Sequence, residues 1–515
     1  MKHAETVTES SLNRLLEAAE TAWDGRDFSA ALEYMETARR SAPTNVGILL
    51  RLGQMQGHRL NYPAAEQCFD EAVRLTPHKT DMLIVVANHC QSFRSPELEE
   101  RFLRQAVSQP DATPLAFLKQ GEHCERRRQL GHAAEFAERA LKKNPAYPAA
   151  MLLRARLEKS AGHPEAAESI LRSFLHQPIP LLWTKVQSWY ELGVVLDRQE
   201  RYDEAMQAVL AAKEIHRAEA AKNFGPIKIR YEHLSAMQSR ISAGLLRKWC
   251  DQGSLLTPPR RIALLAGYPR SGTTLLEQVL DAHPDVTAAE ETDVFINESL
   301  PILQPGKLVD TPIIPMLLTA TTSKLQSARA AYFQVMEKTL ERPVEDRLLI
   351  DKNPFLTSLI PAFLRVFPEA RYLVALRDPR DVLLSRFLMP QPLVPHTTPF
   401  LTLEGTAENY AVTMGLWRHV SSILPAPWLE VRYEDMVEDL ESVARKTLEF
   451  LGVPWNAKVL GFDEHASKKM VRSPTYADVT QPLYTRARGR WRNYQKYLEP
   501  HFAKLEPFVK AFGYE

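Results

Sequence analysis

Residues 267–276 read Gly-Tyr-Pro-Arg-Ser-Gly-Thr-Thr-Leu-Leu, and their types and spacing suit a loop that binds phosphate. An apolar run at 262–266 precedes the loop and predicts a buried strand, while apolar residues at helical spacing follow it over 275–281. A loop between a strand and a helix presents backbone N–H groups and the positive end of the helix dipole to an anion. The sequence therefore predicts a phosphate-binding loop here.

This loop differs at one position from the loop of nucleotide triphosphatases. Their motif is G-x-x-x-x-G-K-[ST], in which the lysine binds the β- and γ-phosphates. Gly267 and Gly272 keep that spacing, but Thr273 occupies the lysine position. The nearest cation is Arg270, inside the loop. The pattern indicates a ligand other than a magnesium-bound β,γ-phosphate pair.

The elements around the loop are those of an α/β domain. Further buried strands are predicted at 347–350, 372–376 and 428–432, with helical patterns at 326–340, 380–388, 406–423 and 436–452. Strands that alternate with helices predict a parallel sheet covered on both faces. Ligands of such sheets bind at the carboxyl ends of the strands.

Two cations follow predicted strands and so fall at the same edge as the loop. Lys352 follows the second strand, and Arg377 follows the third. Asp378 and Pro379 then predict a helix N-cap and first helical position, so Arg377 would offer a cation to a phosphate placed there. Ser385 lies one to two turns further on. Taken alone, Lys352 is equally consistent with a solvated lysine at a strand end.

Two other groups of charged residues could complete a site. Glu290 and Glu291 follow a short strand-like piece. A solvated pair is the ordinary interpretation, but a glutamate in a low-dielectric site can act as a general base. Residues 486–492 are rich in arginine, and either form a solvated loop or close over an anion, with Gly489 allowing a close backbone approach.

The first half of the chain is repetitive. Small residues recur about every 34 residues in three columns, which are Ala38, Ala72, Ala106 and Ala140; Ala31, Ala65 and Ala133; and Ala19, Gly53, Ala87 and Gly121. In the second column Glu99 replaces the small residue of the third repeat. The pattern resembles tetratricopeptide repeats, and six of them over 9–216 would stack into a solenoid with an extended groove.

The sequence thus predicts two domains. A helical array with a capping helix is expected over 9–250, a linker containing Gly and a Pro pair over 251–260, and the α/β domain over 261–515. The array is expected to bind a protein partner or the acceptor. The alternative is that it only supports or dimerises its neighbour.

The composition excludes several classes of protein. A net charge of +1 gives no reason to expect nucleic acid or an anionic membrane as a partner. The sequence shows neither a signal-peptide pattern nor an apolar run long enough to span a bilayer. The cysteines have no metal-ligand spacing and are expected to be buried free thiols, namely Cys68, Cys90, Cys124 and Cys250. We expect a cytoplasmic protein.

Residues 261–515 resemble sulfotransferases that use 3′-phosphoadenosine 5′-phosphosulfate (PAPS), above all protein-tyrosine sulfotransferases. The resemblance is carried by Pro269-Arg-Ser-Gly-Thr-Thr-Leu275, Leu280-Asp-Ala-His-Pro-Asp-Val286, Glu290-Glu-Thr292, Lys352-Asn-Pro-Phe355, Arg377-Asp378 with Ser385, and Val431-Arg-Tyr-Glu434. The family arginine that follows the serine is replaced here by Met389. The animal enzymes lack the repeats, and their fusion to this domain is similar to a bacterial arrangement.

The resemblance implies roles for the residues of these motifs. The cofactor ligands would be Arg270, Ser271, Gly272, Thr273 and Thr274 for the 5′-phosphosulfate, Arg377 and Ser385 for the 3′-phosphate, and Tyr433 and Arg490 as further contacts. The catalytic residues would be Glu291 as the base, Lys352 and Arg270 at the bridging oxygen, and Ser473 beside them. A sulfuryl group carries less negative charge than a phosphoryl group, so fixed cations can replace a metal ion.

The resulting hypothesis is a PAPS-dependent sulfotransferase that needs no metal. It would act on a hydroxyl of a protein, glycan or small-molecule acceptor, with a protein tyrosine included. Two alternatives remain open at this point. One is a kinase or nucleotide triphosphatase with a variant loop, and the other is a repeat scaffold with an inactive C-terminal domain.

Overall fold

The computed structural model describes residues 9–223, 228–256, 258–303, 313–341, 343–344, 347–467 and 487–515. The chain divides into two compact units, Met1–Ala212 and Lys213–Glu515, and the division falls within a helix.

The first unit is built from helices that pair in sequence order. They are α1 (Glu9–Asp24), α2 (Phe28–Ser41), α3 (Val46–His58), α4 (Tyr62–Leu75), α5 (Lys79–Ser92), α6 (Pro96–Val107), α7 (Pro114–Arg126), α8 (Leu130–Lys143), α9 (Pro148–Ser160), α10 (Pro164–Leu175), α11 (Leu182–Arg198) and α12 (Tyr202–Asn223), which runs on into the second unit. Each odd-numbered helix up to α9 packs against the helix that follows it. The predicted helical repeats are confirmed.

The residues of the small columns are buried between paired helices. Ala38, Ala72 and Ala106 are fully buried. A Cβ added to Gly53 would come within 2.5 Å of the Phe69 ring, so a larger residue would force the two helices apart. The predicted columns therefore mark the contacts that hold each repeat together.

Glu99, which breaks one column, is accommodated by charge pairing. The side chain is buried, forms an ion pair with Arg126 and lies 3.1 Å from Nδ1 of His123. A buried carboxylate is tolerated only with such partners. The third repeat therefore replaces a small apolar contact by a polar one, and keeps the helical array.

The second unit is an α/β domain. Its helices are α13 (Lys228–Arg240), α14 (Ala243–Asp251), α15 (Thr273–Asp281), α16 (Leu300–Leu303), α17 (Ile313–Thr319), α18 (Thr322–Leu340), α19 (Ile360–Val366), α20 (Pro379–Phe387), α21 (Leu403–Ser421), α22 (Tyr433–Glu438), α23 (Leu440–Leu451), α24 (Phe462–Ser467), α25 (Gln495–Leu498) and α26 (Phe502–Ala511). Its strands are β1 (Ile262–Gly267), β2 (Val286–Glu290), β3 (Leu348–Lys352), β4 (Arg371–Leu376) and β5 (Trp428–Arg432).

These strands form one parallel sheet in the order β2-β3-β1-β4-β5. β1 lies in the centre with all residues buried, as expected for a strand covered on both faces. β1 and β3 pair so that Leu265 lies beside Lys352, and β2 and β3 pair so that Glu290 lies beside Lys352. The register therefore brings the ends of these strands to one edge of the sheet.

Several predicted boundaries differ from the structure by a few residues, and two of these differences change the description of an element. β3 continues through Lys352, two residues beyond the apolar run, so this lysine ends the strand instead of following it. The helix predicted over 436–452 is two helices, because Asp439 leaves the helical conformation and its carboxylate accepts a hydrogen bond from the backbone N–H of Ser442. An aspartate inside a helical pattern does not by itself predict an N-cap, so this break between two helices could not be predicted from the sequence.

The residues that the sequence assigns to a capping helix and a linker lie within the second unit. α13 contacts α21, and α14 contacts α19. The predicted linker over 251–260, and with it the predicted division of the chain into domains, stays a prediction. Within the described residues no helix has the length and apolar character needed to cross a membrane.

The four cysteines are free thiols. Cys68, Cys90 and Cys124 are buried, as predicted, whereas Cys250 is half-buried. Burial raises the pKa of the Cys68 thiol to about 11, so this thiol stays protonated at neutral pH.

Candidate functional site

Two glycines with left-handed backbones bound the predicted phosphate loop. Gly267 has a φ of +134°, and an added Cβ would lie 2.5 Å from the carbonyl oxygen of Ala375 on β4. Gly272 has a φ of +91°, and its added Cβ would lie 2.8 Å from Cδ2 of Tyr433. Both positions exclude a side chain, so the loop between β1 and α15 depends on glycine at each end.

Arg270 ties this loop to the neighbouring helix. Its φ of +80° is unusual for a residue with a side chain, and such strain persists only where the surroundings impose it. Its Nε donates to Oγ of Ser385 on α20 at 3.0 Å, and its carbonyl oxygen accepts from Arg377 at 3.3 Å. These three residues, Arg270, Arg377 and Ser385, form the arginine cluster.

Arg377 is a buried cation whose hydrogen bonds go to carbonyl groups. Besides the carbonyl of Arg270, its guanidinium donates to the carbonyl of Ala487 at 2.5 Å. The guanidinium carbon lies 4.9 Å from the ring centroid of Tyr433, and Nε is buried without a hydrogen-bond partner. A buried cation with spare donors, next to a phosphate loop, has the composition of an oxyanion site.

The predicted start of α20 is confirmed, and the chain near the C-terminus docks on it. Asp378 is the N-cap and accepts from the backbone N–H of Arg380 at 2.9 Å, with proline at the next position. The two carboxylate oxygens of Asp381 accept from the backbone N–H groups of Gly489 and Trp491 at 2.7 and 2.8 Å. Arg490 lies between these two anchored residues, in the tail segment 487–491.

Lys352, the last residue of β3, is fully buried among three carboxylates, two at the end of β2 and one on α15. Its Nζ lies 3.0 Å from Glu291, 3.1 Å from Glu277 and 3.8 Å from Glu290. Lys352 and these glutamates form the lysine cluster. Burial lowers the pKa of the Lys352 ammonium, but the three carboxylates outweigh burial, so the pKa lies above its ordinary value. Lys352 is therefore charged.

Glu291 is the most accessible carboxylate of the lysine cluster. Its side chain is 29% exposed, against 12% for Glu290 and 3% for Glu277. A φ of +44° turns the chain at Glu291, and its N–H donates to the carbonyl oxygen of Lys352 at 2.7 Å. Glu291 is thus the carboxylate of this cluster that an acceptor hydroxyl could reach most readily.

Asp351, next to Lys352, is fully buried on the strand. Burial raises the pKa of Asp351 to about 7, and the Tyr332 hydroxyl, which donates to its Oδ2 at 2.8 Å, opposes that rise. Its Oδ1 is buried without a hydrogen-bond partner. Asp351 is therefore a buried carboxyl group with a raised pKa, directly before Lys352 in the same strand.

The structure brings most predicted site residues to one edge of the sheet. The arginine cluster joins the loop to α20, the lysine cluster joins β2 and β3 to α15, and Tyr433 lies against both Gly272 and Arg377. Ser473 lies outside the described residues, so its predicted role remains a prediction.

Sequence reasoning missed three charged residues at this edge, Glu277, Asp381 and Arg386. Arg386 is buried with its guanidinium carbon 4.0 Å from the Phe400 ring centroid, and its Nε has no hydrogen-bond partner. The burial of Glu277 could have been predicted from the sequence. The helix after the loop carries apolar residues on several faces, and a helix with this pattern is buried all round. Every residue of α15 is indeed buried.

Family models match both parts of the chain. Residues 263–457 match the model described as sulfotransferase family, and residues 16–79 and 152–221 match a tetratricopeptide repeat model. The chain carries a sulfotransferase-family domain. Its phosphate loop, arginine cluster and lysine cluster all lie within the part of the sulfotransferase domain that the model matches.

Relatives resemble the chain at low identity. A protein of Aquifex aeolicus described as uncharacterized is 24% identical over 70% of this chain and 47% of its own length. Protein-tyrosine sulfotransferase 1 of Danio rerio is 27% identical over 49% of this chain and 72% of its own length. The chain thus spans about half of the first relative. The solved structure of sulfotransferase STF9 from Mycobacterium avium has a TM-score of 0.32 and 17% identity, covering 67% of this chain and 96% of that one.

Proposed function

We propose that the chain is a PAPS-dependent sulfotransferase that transfers the sulfuryl group to a hydroxyl of an acceptor. The tyrosine hydroxyl of a protein is the first acceptor to test, because the Danio rerio relative is named for that reaction. The proposal joins the sulfotransferase domain to the geometry of its two clusters.

The observation that carries the proposal is the state of Arg377. Its guanidinium is buried, hydrogen-bonded to two carbonyl oxygens and left with a buried Nε that has no partner. Desolvating such a cation is costly unless an anion completes it. A 3′-phosphate beside the phosphate loop supplies that anion, whereas a β,γ-phosphate pair would need the lysine that Thr273 replaces.

The residues at this edge fit the proposed co-substrate in two parts. The loop residues Arg270 to Thr274, at the start of α15, would hold the 5′-phosphosulfate with backbone N–H groups. Arg377 and Ser385 would hold the 3′-phosphate, with Tyr433 beside them. Arg490, in the docked tail segment, is proposed as a further contact to the co-substrate, and Ser473 as a catalytic residue that assists at the bridging oxygen.

The lysine cluster supports a division of labour in the reaction. Glu291 would accept the proton of the acceptor hydroxyl as its oxygen forms a bond to sulfur. The bond between sulfur and the oxygen bridging to the 5′-phosphate would break, and Lys352 with Arg270 would neutralise the charge left on that oxygen. The chain's residues thus supply positioning, a base and fixed cations.

The repeat array would recruit the acceptor or a protein partner. Tetratricopeptide-like helical pairs stack into curved arrays that offer an extended surface. We also propose that the protein acts in the cytoplasm without a metal ion.

Transfer of radiolabelled sulfate from PAPS to tyrosine-containing peptides, glycans and phenols tests the proposal. We expect label on at least one hydroxyl acceptor, undiminished by EDTA, and none with Glu291→Gln, which should still bind adenosine 3′,5′-bisphosphate. Turnover that EDTA abolishes would favour a metal-dependent kinase or triphosphatase. Bisphosphate binding without transfer to any acceptor would favour an inactive scaffold.

A further inference from the structure

Glu277 lies in the lysine cluster, although the proposed reaction gives it no role. Its Oε2 is 3.1 Å from Nζ of Lys352, and both side chains are almost completely buried. Glu291 lies at nearly the same distance from that nitrogen, 3.0 Å, but is partly exposed. Of the two carboxylates nearest to Lys352, one is therefore accessible and the other is almost completely shielded from solvent.

The position of Glu277 links Lys352 to the phosphate loop. α15 begins at Thr273, the last part of the loop, and Glu277 lies about one turn later on the same helix. Lys352 ends β3, which pairs with the strand that leads into the loop. The ion pair between Glu277 and Lys352 thus fixes the lysine relative to the loop, in addition to the backbone pairing of the strands.

The charge on Lys352 also depends on its carboxylates. A buried lysine loses its proton readily unless opposite charges compensate for the lost hydration. In the proposed reaction Glu291 becomes neutral when it accepts the acceptor proton. At that moment Glu277 is the nearest charged carboxylate that remains, since Glu290 lies further away at 3.8 Å.

We propose that Glu277 is a positioning residue that holds Lys352 charged and beside the phosphate loop while Glu291 takes up the acceptor proton. The inference rests on the proposed function. In the reaction the acceptor oxygen bonds to sulfur, the bridging sulfur–oxygen bond breaks, the proton moves to Glu291, and Lys352 pairs with the departing phosphate oxygen. Glu277 exchanges no proton and contacts no reacting atom.

The test is the pH dependence of kcat in Glu277→Gln, which keeps the shape and removes the charge. Among the described residues, Glu277 faces Lys352 from α15, Glu290 and Glu291 face it from the end of β2, and Asp351 adjoins it on its own strand. Arg386 on α20 acts on Glu291. We expect kcat to fall by about 10- to 100-fold and its alkaline limb to move to lower pH by about one unit, because the lysine loses its proton more easily.

Glu290→Gln is the matched control, since it makes the same change at a longer distance and should shift the limb less. If Glu277 had a purely structural role, the variant would have a lower kcat but the alkaline limb of its pH profile would not move. That result would overturn the inference. If Glu277→Gln does not fold, Glu277→Asp is the second test of the inference, because it keeps the negative charge and moves it away from Lys352. We then expect kcat to fall at least about 3-fold with the limb in place, and unchanged kcat would overturn the inference.

The two levels of the account fail in different ways. A wild-type chain that transfers no sulfuryl group refutes the proposed function and with it the role of Glu277. A wild-type chain that turns over, beside a Glu277→Gln variant with an unshifted alkaline limb, refutes the role of Glu277 alone.

Discussion

Arg377 and Lys352 are both buried cations at the carboxyl edge of one sheet, but their partners differ in kind. Within the described residues, Arg377 donates to backbone carbonyls and keeps an unpartnered Nε. Lys352 is surrounded by the three carboxylates of the lysine cluster. Within the described residues the Arg377 guanidinium thus keeps a spare donor and interacts with the Asp381 carboxylate only through space, whereas the Lys352 ammonium is paired with several carboxylates.

This difference teaches how one site can serve two purposes. A cation held by carbonyls attracts an anion strongly, because the carbonyls orient it without cancelling its charge. A cation held by carboxylates stays protonated in the interior and becomes available when one partner takes up a proton. The arginine cluster is therefore suited to binding, and the lysine cluster to chemistry.

The largest expected effect lies in the lysine cluster. Lys352→Ala should lower kcat by about 10²–10³-fold while bisphosphate affinity changes much less, because the lysine acts on charge that develops during transfer. Single-turnover kinetics with PAPS measure this. Lys213→Ala is the matched control, since Lys213 is another buried lysine of the same unit, bonded to the carbonyl of Phe400. A near-normal rate for Lys352→Ala would remove the lysine from the mechanism.

In the arginine cluster we expect the opposite result, namely a larger effect on binding than on kcat. Arg377→Met should weaken binding of adenosine 3′,5′-bisphosphate by about 10- to 100-fold, the value of a charge-assisted hydrogen bond, and lower kcat less. Isothermal calorimetry measures the affinity. Arg380→Met is the control, because that arginine already pairs with Asp378 at 2.8 Å. Equal losses in the two variants would erase the contrast between a cation with a spare donor and one paired with carboxylates.

A smaller effect is expected from the contact that holds the tail segment. Asp381→Asn replaces one acceptor by a donor facing a backbone N–H, so the segment should dock less well and bisphosphate affinity should fall by about 3- to 10-fold. Glu438→Gln is the control, because it removes only the exposed ion pair of this segment with Arg488. If both variants bind the bisphosphate as the wild type does, the docked tail plays no part in binding.

The last prediction concerns Asp351, and it bears on how stability depends on pH, not on binding or turnover. Burial raises the pKa of Asp351 from an ordinary 3.8 to about 7, so between these pH values the unfolded chain has lost a proton that the folded chain keeps. The stability of the wild type should fall as pH rises through this window, by up to about 1.4 kcal/mol per pH unit from this group. Asp351→Asn should lack that slope in thermal melts from pH 4.5 to 7.5, and identical slopes would contradict the assignment.

Local patterns predicted the parts of the molecule that depend on neighbours in sequence. The alanine columns, the strands β1, β3, β4 and β5 and the Asp378 cap follow from spacing within a few residues. The phosphate loop could be placed because its two glycines sit between a strand and a helix. Even Lys352, Glu291 and Arg377 could be placed, since Lys352 ends a recognisable strand and the other two each follow one.

Contacts between distant segments were beyond sequence reasoning. Asp381 accepts from Gly489 and Trp491, which no local pattern connects to α20. Glu277 looked like an ordinary polar position on a helix, and only the packing of α15 against β3 shows that it faces Lys352. The break of the predicted 436–452 helix at Asp439 was missed for a simpler reason, since apolar spacing continues across it.

The central claim is that this edge of the sheet binds a 3′-phosphorylated adenine nucleotide through fixed cations and backbone N–H groups. A calorimetric titration of the full chain with adenosine 3′,5′-bisphosphate and with ATP, each with EDTA and with Mg²⁺, tests it directly. We predict that the bisphosphate binds equally well in both conditions and at least about tenfold tighter than ATP, as expected for an additional charge-assisted contact to the 3′-phosphate. Tighter binding of ATP with Mg²⁺, or no binding of the bisphosphate, would contradict the account.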